Sequence, residues 1–347
     1  AGHDFMDYYD GSGGSDACTD MHAADNAGLL ACLVEGEWDY KVHDVYAKYC
    51  TEVSLADFLV LAAEASMDWT RRLATRRFNE LDNIAFKWRF KYGRETSTSC
   101  PDAEHQLPNP EHGCSEVERV FVKNLGLSWE ESAALMGVHT LGRARLENSG
   151  YDGWWSDPIN SRKFNNHFFV SMLANGWMPD VALNGNKDKN QWIISNENFK
   201  SKDAKVMMLN SDLCLAFTFD HDSKVGLDAR TQNCCAWPEP APILEAISRF
   251  NGGEYCGVKV KSNPDWLLPF VEGDPESRCR IKAQRAACCQ GESRVADCGS
   301  VLHPTGPAGE AVFRFANDED YWLEVFKHAW SKATTVGFHD LKVLETC

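Results

Sequence analysis

The sequence predicts a mainly α-helical protein interrupted by one loop-rich, disulfide-stapled stretch. Three observations predict it. Capped segments with apolar residues at helical spacing run from about residue 38 to residue 225. The same pattern returns at residues 318–335. Between them Pro, Gly and Cys accumulate and the periodicity fades. At 347 residues, with 44% hydrophobic and 25% charged residues, the chain can bury one large core or two modest ones.

The segment EVSLADFLVLAAEAS (52–66) places Ser54 at the cap of an almost wholly apolar body, which predicts a buried helix. CSEVERVFVKNLG (114–126) predicts a helix capped by Ser115 and closed by Gly126. In LSWEESAALMGVHTLGR (127–143), Ser128 followed by Glu131 is a capping box. RKFNNHFFVSMLANGW (162–177) and DAKVMMLNSDLCLAFTFD (203–220) read as further amphipathic helices. The broken polar stretch between them, MPDVALNGNKDKNQWIISN (178–196), reads as a short hairpin. DEDYWLEVFKHAWSKATT (318–335) predicts a last helix.

The formal net charge of −16 repels phosphate and argues against nucleic acid as a partner. No run of about eighteen apolar residues exists, so no membrane span is expected. The fourteen cysteines are even in number and become dense between Cys214 and Cys298, with adjacent pairs at Cys234–Cys235 and Cys288–Cys289. No CxxC spacing repeats, so disulfides in an oxidising, extracellular setting are the expectation. Cys100, His105, His112 and Cys114 form a drawable zinc set. The loop CPDAEHQLPNPEHGC (100–114) is expected instead to close with a disulfide.

His139 follows the apolar face of the Ser128-capped helix, so its imidazole is expected to point toward the core. A backbone carbonyl can satisfy such a histidine. As a metal ligand it needs a carboxylate to orient its second nitrogen, and Asp212, an acid in an apolar segment, needs a partner just as much.

LMGVHTLGRARLENSGYDGWW (135–155) resembles the proximal segment of the plant, fungal and bacterial haem peroxidase superfamily. Within it the likeness is to class I, nearest its cytochrome c peroxidase branch. SLADFLVLAAEAS, KWRFKYGRETSTSCPDAEHQLPNP, FVKNLGLSWEESAALMG, NQWIISNENFKSKDAKVMMLNSDL and NDEDYWLEVFKHAWSKA follow in the same order. The resemblance implies two helical layers sandwiching haem b. It also implies a core at residues 1–220, a Cys-rich insertion at 221–310, and a C-terminal helix at 311–347 returning to the core. It makes His139 the axial iron ligand, Asp212 the acceptor of its second N–H, and Trp155 a tryptophan beneath the haem that can hold a radical. Arg143 and Arg145 are expected at the cofactor.

On the other side, AGHDFMD (1–7) resembles the distal helix, with His3 as the base for hydrogen peroxide, and ADNAGL (24–29) supplies Asn26 to hold it. The family's distal arginine would precede Ala1, so an upstream segment, an associated N-terminal peptide or a second chain is expected to carry it. HDFMDYYDGSGGSDAC (3–18) resembles a calcium loop, with Asp4, the Gly14 carbonyl and Asp16 as ligands, although Cys18 stands where serine is usual. Thr140, Ser156 and Asn165 are rough matches to a second, proximal cation loop. Asn148 occupies the position at which ascorbate peroxidases carry arginine, so a small phenol or a protein is the expected electron donor. The alternative is a haem-binding or structural protein with impaired catalysis.

Overall fold

The computed structural model describes residues 1–23, 26–35, 41–75, 86, 90–100, 107–174, 177–180, 183–194, 205–217, 253–255, 258–260 and 306–343. The fold is mainly helical, as predicted. It opens with α1 (Gly2–Met6) and α2 (Val42–Tyr46) and reaches the long α3 (Leu55–Thr75). Ser54 caps α3 as expected: its Oγ accepts from Asp57 N at 3.1 Å. The Asp57 carboxylate itself pairs with the buried Arg94, whose Nη1 donates to Oδ1 at 2.7 Å.

α4 (Cys114–Val117) starts from Gly113 rather than from the predicted Ser115 cap. The Ser115 hydroxyl turns back onto the His112 carbonyl at 3.2 Å and is not available to cap. The helix continues in wider π geometry through Glu118–Asn124 and ends before Gly126. α5 (Trp129–Met136) has the full capping box, with Glu131 N on Ser128 Oγ at 3.1 Å and Ser128 N on Glu131 Oε2 at 2.9 Å. α6 (Leu146–Ser149), α7 (His167–Ala174), α8 (Asn210–Leu213), α9 (Gly309–Asn317) and α10 (Glu319–Thr335) complete the helices used below.

Short strands tie loops together. β1 (Lys91–Tyr92) pairs with β9 (Lys342–Val343), and β2 (Arg143–Ala144) with β3 (Gly153–Trp154), both antiparallel. The predicted hairpin is present as β4 (Trp177–Asp180) against β5 (Gln191–Ile194). It gains a third strand, β6 (Met207–Met208), where a helix over 203–220 was expected. Met207 and Met208 extend the sheet edge by pairing with Ile193 and Trp192, and among the described residues of that stretch only the four of α8 are helical. Of the predicted insertion at 221–310, the described parts are the antiparallel pair β7 (Gly253–Tyr255) and β8 (Val258–Val260), and the chain from residue 306. The remainder lies outside the described residues.

The cysteine pairing corrects the expectation. Cys100 bonds Cys18 and Cys114 bonds Cys214, so the 100–114 loop does not close on itself. Both cysteines of the drawable zinc set are thereby consumed.

α10 is the spine of the core. Against α5, Trp322 Nε1 donates to the Ala134 carbonyl at 3.0 Å and Tyr321 donates to Glu130 at 2.7 Å. Against α3, Trp330 Nε1 donates to Glu64 Oε1 at 2.9 Å, and Glu319 pairs with the buried Arg71 at 2.9 Å. Against α1, the Trp330 ring meets Phe5 edge-on, centroids 5.8 Å apart. A single helix thus holds both His-bearing segments, α1 and the end of α5, to one frame.

Burial pushes the Glu64 carboxyl up to about 7, with the Trp330 N–H and the Arg94 charge opposing only part of the effect. The folded state therefore holds a proton that the unfolded chain releases near 4.5, and stability falls as pH rises from 4.5 through about 7. Glu64→Gln, which keeps an acceptor for Trp330, is expected to flatten that loss and to raise the denaturant midpoint relative to the parent above pH 7. Parallel pH profiles of parent and variant would contradict it.

Candidate functional site

His139 lies on the tight turn Gly137–Thr140 that follows α5. A Cβ on Gly137 would sit 2.6 Å from Trp322 Nε1 and 2.9 Å from the Phe169 ring, so only glycine lets this turn lie so close to α7 and α10. The chain then runs out through β2, turns at α6 and comes back through β3, with Arg143 opposite Trp154. Gly153 allows the return strand to lie on β6, where Trp154 N donates to the Lys205 carbonyl at 2.8 Å. A Cβ there would strike that same carbonyl at 2.8 Å. β6 leads directly into α8 and Asp212.

These local devices bring three side chains together from three segments. His139 Nδ1 donates to Asp212 Oδ1 at 2.9 Å, and Trp155 Nε1 donates to Asp212 Oδ2 at 2.8 Å. Leu209 N donates to the same Oδ2 at 2.8 Å. Asp212 is fully buried, and these three donors compensate its charge. The imidazole and indole rings stack at 4.6 Å, inclined 28°, and Phe168 meets the imidazole edge-on at 5.8 Å. With Nδ1 carrying the proton, Nε2 presents its lone pair. The His139 side chain is one third exposed, at 33%, while the Asp212 behind it is at 0%. The imidazole therefore faces open space from a buried carboxylate.

The other predicted pair is also present. His3 on α1 donates from Nδ1 to Asn26 Oδ1 at 2.7 Å, and Asn26 Nδ2 donates to the Asp20 carbonyl at 2.7 Å. The amide orientation follows from that second bond, and it leaves His3 Nε2 as the unprotonated nitrogen of the neutral ring. Asn148, at the position read for ascorbate, lies against the backbone of Gly28, where an added Cβ would meet its Nδ2 at 2.6 Å.

Other candidates are placed differently. Arg143 pairs with Asp152 at 3.3 Å and lies over the Trp154 ring at 5.2 Å. Arg145 is exposed at the start of α6. The Gly14 carbonyl accepts from Asp16 N at 2.7 Å, and Asp16 Oδ1 accepts from Cys18 N at 2.9 Å. Asp4 is 1% exposed, and neither of its oxygens has a hydrogen bond of normal geometry. Asp7, which the sequence reading passed over, lies one helical turn further on and accepts from Gly14 N at 2.8 Å. Burial pushes Asp4 up to about 6 against the pull of the Ala1 ammonium, and Asp7 up to about 7; repulsion from Asp16 adds to both, and from Asp4 to Asp7. Among the described residues no three His, Cys, Asp or Glu side chains converge as a metal cluster. Thr140, Asn165 and Ser156 are brought together: Thr140 Oγ1 donates to Asn165 Oδ1 at 2.8 Å, and Ser156 Oγ donates to the Thr140 carbonyl at 2.9 Å.

Replacing Asp212 by asparagine leaves one acceptor oxygen for three donors. Asp212→Asn is expected to cost about 1–3 kcal/mol of stability in urea denaturation, the usual penalty for a buried donor left unmatched. A change within about 0.5 kcal/mol, the range of an ordinary surface substitution, would contradict the shared-carboxylate geometry.

The chain is similar to known proteins. A family model described as Peroxidase matches residues 4–225. L-ascorbate peroxidase 3 of Arabidopsis thaliana is 44% identical over 85 residues, 24% of this chain and 28% of that protein. Mitochondrial cytochrome c peroxidase of Yarrowia lipolytica is 31% identical over 141 residues, 40% of this chain and 36% of that protein. An Aspergillus fumigatus protein whose name marks it as a candidate heme-binding peroxidase is 33% identical over 110 residues, 32% of each chain. These matches span roughly a third of the length of each relative. The match to the family model covers most of the chain and includes every residue of the Asp212 centre: the chain belongs to the peroxidase family.

Proposed function

We propose that the chain binds haem b through His139 and reduces hydrogen peroxide at the expense of an organic or protein electron donor. The observation that carries this reading is the single buried carboxylate of Asp212, shared by the His139 imidazole and the Trp155 indole. The residues fit the group. A histidine whose Nδ1–H is drawn to a carboxylate is electron-rich at Nε2, and that nitrogen belongs to a one-third-exposed ring in front of a fully buried Asp212. Bound haem would supply the iron that takes up the oxidising power of peroxide.

The chain's own groups do the rest. His3 Nε2 takes a proton from one peroxide oxygen and returns it to the other, with Asn26 holding the ring. Trp155 would give up one electron to the oxidised centre, and its hydrogen bond to Asp212 would steady the resulting charge. A guanidinium beside His3 would stabilise the negative charge that develops on the departing oxygen before the proton reaches it and it leaves as water. The buried Asp4 carboxylate supports a calcium-class cation at the α1 loop, which would hold it ionised. Two long-range disulfides support an extracellular setting, and no helix among the described residues is long and apolar enough to cross a membrane. Asn148 in place of arginine favours a phenolic or protein donor over ascorbate.

The absorption spectrum of the purified, haem-loaded chain, before and after one equivalent of hydrogen peroxide, tests the reading. The parent is expected to show a haem band that moves within the mixing time, and His139→Ala is expected to lose the band. A band that peroxide leaves in place would favour a non-catalytic haem binder. An identical band in His139→Ala would overturn the ligand assignment.

A further inference from the structure

Trp155 packs against a small buried cluster made of Ala144, Tyr151, Leu183, Met207 and Leu209. Tyr151 is the only polar member, 5% exposed, and its hydroxyl donates to Glu111 Oε1. Glu111 is itself 8% exposed. Its backbone carbonyl accepts from Asn210 Nδ2 at 2.7 Å, which ties it to α8, the helix that carries Asp212. Lys189 completes the group. Its Nζ is 4.8 Å from the Tyr151 ring centre, 3.5 Å from the hydroxyl and 3.7 Å from Glu111 Oε1.

A phenylalanine facing an apolar side chain would pack this cluster without burying a carboxylate beside an ammonium. What the acid adds is chemistry. A phenol gives up an electron readily only when its proton leaves with it, and a hydrogen-bonded carboxylate provides the acceptor in place. Lys189, 28% exposed, carries the compensating positive charge where water can screen it.

We propose that Tyr151 is a redox-active side chain that relays oxidising equivalents from Trp155 to the surface beside Lys189, with Glu111 as its proton acceptor. The inference rests on the peroxidase reading, because hydrogen peroxide is the oxidant that leaves Trp155 one electron short. In the relay step Tyr151 passes one electron to oxidised Trp155 and its hydroxyl proton to the Glu111 carboxylate. Trp155 returns to its closed-shell indole, leaving a neutral phenoxyl radical and a neutral Glu111 acid. A phenolic donor then supplies one electron to Tyr151, whose oxygen takes the proton back from Glu111. The donor leaves as its own radical, its proton released to water.

The test is freeze-quench electron paramagnetic resonance on the haem-loaded full chain after peroxide, with ring-deuterated tyrosine incorporated, and with peroxide consumption followed in the same samples. A radical signal narrowed by the deuterium is expected in the parent and lost in Tyr151→Phe. Glu111→Gln keeps an acceptor for the hydroxyl and is expected to slow the appearance of that signal about 100-fold, the usual worth of a positioned base. It also serves as the test should Tyr151→Phe not fold. Peroxide consumption with no tyrosine-derived signal, or a signal that survives Tyr151→Phe, would overturn the relay while the peroxidase reading stands. An unchanged rate in Glu111→Gln would overturn the assigned acceptor. A parent that does not consume peroxide overturns both readings.

Discussion

A carboxylate removed from water must be fully compensated, and most of the central architecture serves to compensate one. Asp212 is fully buried and receives the imidazole, the indole and a backbone N–H. None of these donors is local except Leu209. His139 is brought by the turn after α5, and Trp155 by the β2–β3 hairpin. Asp212 is fixed in turn by α8, which is anchored through Asn210 to Glu111 and through the Cys114–Cys214 disulfide to α4. Loosening any of these elements would leave a buried charge short of partners, which is far costlier than losing an exposed contact.

The same carboxylate links structure to chemistry. By accepting the Nδ1 proton of His139 it enriches the opposite nitrogen, and by accepting the indole N–H it favours a positive charge on Trp155. One group therefore biases both the outward-facing nitrogen of His139 and the indole stacked on it. α10 extends this coupling to the other half of the site. It packs Trp322 against the Gly137 turn and Trp330 against Phe5, two residues from His3. One helix therefore packs against both histidine-bearing segments.

Much of the centre was legible in the sequence because residue type and order carry it. A histidine after a capped apolar helix and an aspartate stranded among apolar neighbours each pose a problem that the other solves, while the place of Trp155 beside them is what the family resemblance implies. The Ser128 capping box was readable because it is wholly local. What was not legible depends on distant partners. Cys18–Cys100 and Cys114–Cys214 close 82 and 100 residues, and nothing near a cysteine names its mate. β6 was read as helix because Met207 and Met208 take their conformation from pairing with β5, not from their own propensity. The Ser115 cap failed because a carbonyl three residues earlier claimed the hydroxyl. Glu111 and Tyr151 carried no signal, being 40 residues apart with ordinary neighbours. Asp7 was within reach, since it stands one turn from Asp4 on the same short segment.

In the proposed function Asp212 makes His139 a strongly donating haem ligand. Resonance Raman spectroscopy of the reduced, haem-loaded chain tests it most directly, through the iron–histidine stretching band. The account predicts a high-frequency band that drops clearly in Asp212→Asn, because the weaker acceptor leaves the imidazole a poorer donor. A band at the same frequency in parent and variant would contradict it.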